Sequence, residues 1–244
     1  MLIRFSFLFV LSTISPRANI NNFQLQSKSI TNIDYFDEPK PPDGYKYWND
    51  PRIHKLGNTG FGGIIHANLA PIITKLTDYI KYDGRDIRNE IYNEWANRYT
   101  EVLDFGCGAG LSTPPGGTGV DISKEMIHRA TKRNKHKYTN FIVGNSEDWG
   151  KSYGYDIVTC MFGFHEMPRS ARLKVIENCI RVAGEKVVIV DIDPTYSPGT
   201  FVLSGEPYFL DYINHIDCDM KLYGGIKKIV IEGRVVRWDF YKGL

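Results

Sequence analysis

The chain has 244 residues, enough for one large domain or two small ones, and its 42% apolar and 24% charged residues are those of an ordinary globular protein. A formal charge of +2 gives no bulk electrostatic reason to expect a nucleic-acid partner, and none is expected. Four cysteines (Cys107, Cys160, Cys179, Cys218) show neither metal nor disulfide spacing and no Asn-x-Ser/Thr sequon occurs, so the expectation is a reducing intracellular compartment and no metal site.

"MLIRFSFLFVLSTISP" joins one cation, Arg4, to an apolar run too short to span a bilayer but adequate for a signal-peptide core. The acid-free stretch that follows, up to Asp34, has the composition of a transit segment. Residues 1–33 are therefore set aside as a leader, directed to an organelle or without consequence, and no transmembrane segment is expected. Residues 34–99 form an amino-terminal cap. Its first part, rich in Pro, Gly and aromatics, is expected to lack regular structure. Two helices follow. Pro71 suits a first helical turn, with Ile72, Ile73, Leu76 and Ile80 at helical spacing, and Ile87, Ile91, Tyr92, Trp95 and Tyr99 give the second its apolar face.

From residue 100 to 244 the pattern alternates. Glu101–Phe105, Gly119–Ile122, Phe141–Val143, Tyr155–Met161 and Lys186–Asp191 read as strands. Ser123 caps a helix to about Asn134, and a helix from about Ser170 to Ala183 is ended by Gly184. The basic run "HRATKRNKHK" (His128–Lys137) reads as a solvated helix face entering a loop and not as a phosphate patch. "IKKIVIEGRVVRWDFYK" is two β-rich runs around Glu232-Gly233, a hairpin. The expected fold is α/β: a mostly parallel Rossmann-like sheet of seven strands ending in an antiparallel hairpin, with helices on both faces.

The chemistry lies in "EVLDFGCGAGLSTPPGGTGVDIS" (Glu101–Ser123). A strand running into a glycine-rich turn brings ligand and backbone close, and an acid ending the next strand, Asp121, can accept from both hydroxyls of a ribose. A nucleoside cofactor follows. The spacing of Gly106, Gly108 and Gly110 is GxGxG, with Leu111 where a dinucleotide fingerprint needs its third glycine. Asp104, two residues before the first glycine, suits a cofactor that carries an amino group better than a pyrophosphate.

These motifs resemble those of the class I S-adenosylmethionine-dependent methyltransferases, over roughly Glu101–Asp193 and through the closing hairpin. "EVLDFGCGAG" is similar to the family's first motif, "GVDIS" to its second, "VGNSEDW" to the adenine segment and "YDIVTCMFGFHEMP" to the fourth strand and the loop facing the methyl donor. The resemblance implies S-adenosyl-L-methionine as cofactor, bound by Asp104, Gly106, Cys107, Gly108, Gly110, Asp121, Ile122, Asn145, Ser146 and Met161. Asn145 stands where many relatives have Asp. A second departure is Pro114-Pro115-Gly116-Gly117, which ends any helix after the glycine turn within about one turn and trims that face of the sheet.

The loop after the fourth strand then places His165 as a general base, with Glu166 to orient it or to cap the next helix. The acceptor, a small organic molecule, is expected between the amino-terminal stretch (Tyr45, Trp48, His54, His66), the wall residue Phe164, and the insertion carrying Glu206 and Tyr208. "GNTGFGG" (Gly57–Gly63) reads as a surface loop, with a lid hinge as its functional alternative. The expected activity is methyl transfer by in-line displacement. The competing readings are a non-catalytic cofactor-binding partner protein, a nicotinamide-dependent oxidoreductase, and a transferase moving the cofactor's aminocarboxypropyl group.

Overall fold

Parallel strands pack between layers of helices, and the chain supplies five strand-forming runs before its final hairpin. The computed structural model describes residues 38–95 and 101–242. The expected leader, and Tyr99 of the second helix, lie outside the described residues. Strands β1 (Val102–Phe105), β2 (Thr118–Asp121), β3 (Asn140–Val143), β4 (Tyr155–Met161), β5 (Ala183–Ile192), β6 (Ile226–Ile231) and β7 (Val235–Tyr241) form one seven-stranded sheet of order β3-β2-β1-β4-β5-β7-β6. The first five pair in parallel; β7 inserts antiparallel between β5 and β6. Gly233, at φ 64°, makes the hairpin turn.

The helices are α1 (Gly60–Lys81), α2 (Ile87–Asn93), α3 (Lys124–Arg133), α4 (Arg169–Val182), the short α5 (Thr200–Leu203) and α6 (Phe209–Leu222). Strand alternation sorts them onto two faces. Ile87 and Ile91 of α2 pack with Val102, Ile157, Val188 and Val190, whereas α4 covers β4 and β5 with Val175, Ile176 and Cys179 fully buried. Ser123 caps α3 as expected, its Oγ accepting from the Met126 N–H at 3.2 Å.

Four local expectations need correction. Pro71 sits inside α1, which starts eleven residues earlier, at Gly60. The small residues Gly62 and Gly63 permit that start, because a Cβ on Gly62 would lie 1.8 Å from the Leu56 carbonyl oxygen and one on Gly63 2.7 Å from Asn58. "GNTGFGG" is thus a tightly packed helix entry and not a hinge. Ile72, Ile73, Leu76 and Ile80 face solvent. Gly184 ends no helix with a left-handed turn: α4 runs straight into β5 at Ala183.

No helix forms between β1 and β2. Residues 106–117 are a series of turns, as the two prolines require. This loop is held by packing at Gly110, whose φ is 74° and where a Cβ would meet the Phe141 ring at 2.8 Å and the Ala130 methyl at 3.0 Å. Gly110→Ala should therefore destabilise the protein by about 2–4 kcal/mol, from overpacking and a left-handed alanine, read as a shift in the urea unfolding midpoint.

Candidate functional site

The C-terminal ends of parallel strands present free backbone groups to ligands, and here the glycine turn follows β1. Gly106 and Gly108 have φ of 64° and 50°. A Cβ on Gly106 would meet only the Cys160 sulfur, at 3.8 Å, and one on Gly108 nothing within 4 Å, so the space over both is open. Asp121 closes this cradle. Its Oδ2 accepts from the Gly108 N–H at 2.9 Å and its Oδ1 from the Ser123 N–H at 2.8 Å. Each oxygen keeps a lone pair for a further donor. Burial outweighs these two hydrogen bonds and lifts the Asp121 pKa to about 6.

Asp104 differs from its expected role. It is fully buried, its Oδ2 accepts from the Ser112 and Thr113 hydroxyls at 2.8 and 2.7 Å, and its Oδ1 accepts from the Thr159 hydroxyl at 2.9 Å. It ties the turn to β4 and does not face a ligand. Cys107 is buried, and burial holds its thiol well above the ordinary value. Met161 belongs to the core cluster with Val188 and Val190. Ile122 is half-buried beyond β2. After β3, Asn145 Oδ1 accepts from the Glu147 N–H at 3.1 Å and Ser146 is buried, its carbonyl accepting from Asn178 at 2.9 Å.

The acceptor-side residues assemble only in part. Tyr45 is exposed, whereas Phe164 and Tyr208 have no solvent contact, the Tyr208 hydroxyl donating to Asp50 at 3.0 Å. Trp48 packs edge-on against Tyr47, whose hydroxyl donates to Glu147 at 2.8 Å. His66 does enter a polar cluster with three other segments. His54 contacts Glu166 through Nε2 and Glu206 through Nδ1, both at 2.8 Å. His54 and His66 meet edge to face, 4.4 Å between centroids. Asn58 donates to Glu166 at 3.4 Å, so its Oδ1 accepts from His66 Nδ1 at 2.9 Å. The Ser123 hydroxyl donates to the Asn58 carbonyl at 2.5 Å, which fastens this cluster beside Asp121.

Electrostatics separates the roles. Burial alone would lower the His54 pKa, but Glu166 and then Glu206 raise it to about 11. Burial would raise Glu166, but His54 lowers it to about 2. His66, lowered by burial and by the neighbouring imidazolium, is neutral at pH 7. His165 does not touch Glu166 through its ring. Its Nδ1 lies 2.6 Å from Asp191 Oδ1, and this carboxylate overcomes burial to raise its pKa to about 9. Glu166 neither orients His165 nor caps a helix; it pairs with His54. The turn at His54 and Lys55 is left-handed, at φ 49° and 62°.

Sequence reasoning missed Asn58, Asp191 and Arg88. Arg88 is half-buried, its guanidinium 4.3 Å from the Phe162 ring centroid and 3.5 Å from Asp78. An arginine on a short helix carries no spacing that betrays it. A cavity of about 860 Å³ at the opposite, N-terminal ends of β1, β2 and β4, lined by Trp149, Lys151 and Tyr155, holds none of these groups. Among the described residues no cluster of His, Cys, Asp and Glu could hold a metal.

Residues 102–186, about one third of the chain, match the family model described as a methyltransferase domain. Over these residues the chain is similar to methyltransferase domains. Among solved structures, the chain is similar to a TehB-like S-adenosylmethionine-dependent methyltransferase from Corynebacterium glutamicum (15% identity, 72% of this chain and 98% of that one, TM-score 0.50). It is also similar to one from Aquifex aeolicus (18% identity, 63% and 88%, TM-score 0.48). At these identities the likeness is one of fold. No curated protein matches the chain.

S-adenosylmethionine is the cofactor of such a domain, and the residues present fit it. The open cradle at Gly106 and Gly108 admits a ligand, and Asp121 has acceptor capacity left for a ribose.

The His54–Glu166 pair sets a pH window. His54 rises from 6.5 to about 11, so its contribution to stability is complete below pH 6.5 and is lost as pH climbs through about 11. Glu166 falls from 4.5 to about 2, so its contribution is complete above pH 4.5 and is lost as pH falls through about 2. His54→Gln should cost on the order of 2 kcal/mol at about pH 6 and less at about pH 9, measured as parallel urea titrations of both proteins.

Proposed function

We propose that the protein transfers a methyl group from S-adenosylmethionine to a small organic acceptor by in-line displacement. The observation that carries this reading is the gathering of His54, His66 and Glu166 beside Asp121, at the end of the sheet where the cofactor cradle opens. The bound cofactor supplies a methyl group already activated by its sulfonium charge; the chain's own residues supply position and proton handling. Asp121 holds the ribose. Arg88, half-buried against Phe162, offers a cation for the cofactor's carboxylate.

The acceptor meets His66. Its Nδ1 proton is directed at Asn58 Oδ1, which leaves Nε2 as the basic nitrogen, and the ring is uncharged at neutral pH. It is therefore the group suited to take a proton from the acceptor. His165 is already protonated at that pH, so its part is to hold the loop against Asp191. The caps that surround the site are short segments, which suits a small molecule and not a folded macromolecule.

Calorimetric binding of S-adenosylmethionine and S-adenosylhomocysteine to the parent and to Asp121→Ala tests the cofactor half. The variant should bind about tenfold to a hundredfold more weakly. Binding by the parent without turnover of any acceptor would leave a non-catalytic binding protein. Once an acceptor is found, the pH profile of kcat tests the base. An ascending limb below pH 6.5, lost in His66→Gln, is expected from the lowered pKa of His66. A limb near 9 would transfer the role to His165.

A further inference from the structure

Helix α1 is 22 residues long and divides into two sides. Its inner side carries His66 into the polar cluster and packs Ala67 and Ala70 against Met126 of α3. Its outer side is apolar and in water. Phe61, Ile64, Ile72, Leu76, Tyr79 and Ile80 are exposed, Phe61 by 80% and Tyr79 by 75%, and at helical spacing they fall on one half of the circumference. A continuous stripe of this kind marks a docking surface.

What lies beside the stripe selects the partner. Lys75 lies on this outer side, and the adjoining α3 presents exposed Lys124, His128 and Lys132, continued by Lys135 and Lys137. The nearby acids are largely engaged: Asp78 pairs with Arg88, and Glu125 accepts from the Gly60 N–H at 3.0 Å. An apolar stripe flanked by unopposed lysines matches a bilayer with anionic headgroups, in which apolar side chains enter the acyl boundary and ammonium groups stay at the surface. A second copy fits less well, because a two-fold interface through the stripe brings two basic α3 helices together. Among the described residues no helix is long and apolar enough to cross a membrane; a helix with one apolar and one polar side seats in the interface plane.

We propose that α1, with the basic edge of α3, seats this protein on an anionic lipid bilayer. The inference stands independently of the acceptor's identity.

Cosedimentation of the full chain with phosphatidylcholine vesicles, with and without phosphatidylserine, tests it. The comparison includes Ile72→Asp/Leu76→Asp and Lys132→Glu/Lys135→Glu. All four positions are exposed or outside the polar cluster, and retained S-adenosylhomocysteine binding and an unchanged thermal midpoint confirm the fold. The parent should bind phosphatidylserine vesicles roughly tenfold or more tightly than phosphatidylcholine alone, and less well at high salt. The apolar variant should lose binding to both compositions, and the charge variant the preference for phosphatidylserine. Absence of vesicle binding by the parent overturns the proposal. So does equal binding by parent and both variants, which would place attachment elsewhere in the chain. A dimer by light scattering that vanishes in Ile72→Asp/Leu76→Asp, without vesicle binding, would instead make the stripe a subunit interface.

Discussion

A carboxylate with no access to water must find its donors inside the protein, and at Asp104 those donors are three hydroxyls. Two of them, Ser112 and Thr113, come from the loop after the glycine turn, and the third, Thr159, comes from β4. Burial works against the charge here. The hydroxyls offset it, and in doing so they fix a loop that has no helix of its own. The Gly108 amide is then set to reach Asp121, and Asp121 the Ser123 amide that opens α3. One buried acid thus orders the cradle, the Asp121 carboxylate and the start of the next helix.

The acceptor side follows a different logic. His54 with Asn58, His66, Glu166 and Glu206 come from four separate segments, and none of them belongs to a strand. Their mutual charges hold them in place of a shared hydrophobic core. Glu166 and Glu206 keep His54 charged, and burial, with charged His54 beside it, keeps His66 neutral. Two imidazoles 4.4 Å apart thereby acquire opposite protonation states. Pairs pushed apart in this way divide structural from chemical work.

The sheet was legible because each of its strands is a short apolar run bounded by turn residues, and β4 falls at the expected residues. Asp121 was legible because strand, glycine turn and terminal acid are local features. Asp104 was misjudged because a residue's type does not say which donors will surround it. Pro71 suggested a helix start because proline suits that position, but the small residues Gly62 and Gly63 let α1 begin earlier. His165 and Glu166 are adjacent, which invited a joint role; their partners, Asp191 and His54, are distant in sequence. Apolar periodicity located α1 without revealing that part of its apolar face points outward. Periodicity reports amphipathicity, and tertiary packing decides what is covered.

The left-handed pair His54–Lys55 carries one more consequence. Two consecutive non-glycine residues in that conformation each cost on the order of 1–2 kcal/mol, and ion pairs to Glu166 and Glu206 oppose the relaxation. Glu166 follows β4 and Glu206 follows β5, so one imidazole clasps segments from two different crossovers to a strained turn. Breaking either contact frees the turn, and with the turn the other contact weakens. These three stretches are therefore held to one another through a single side chain, His54.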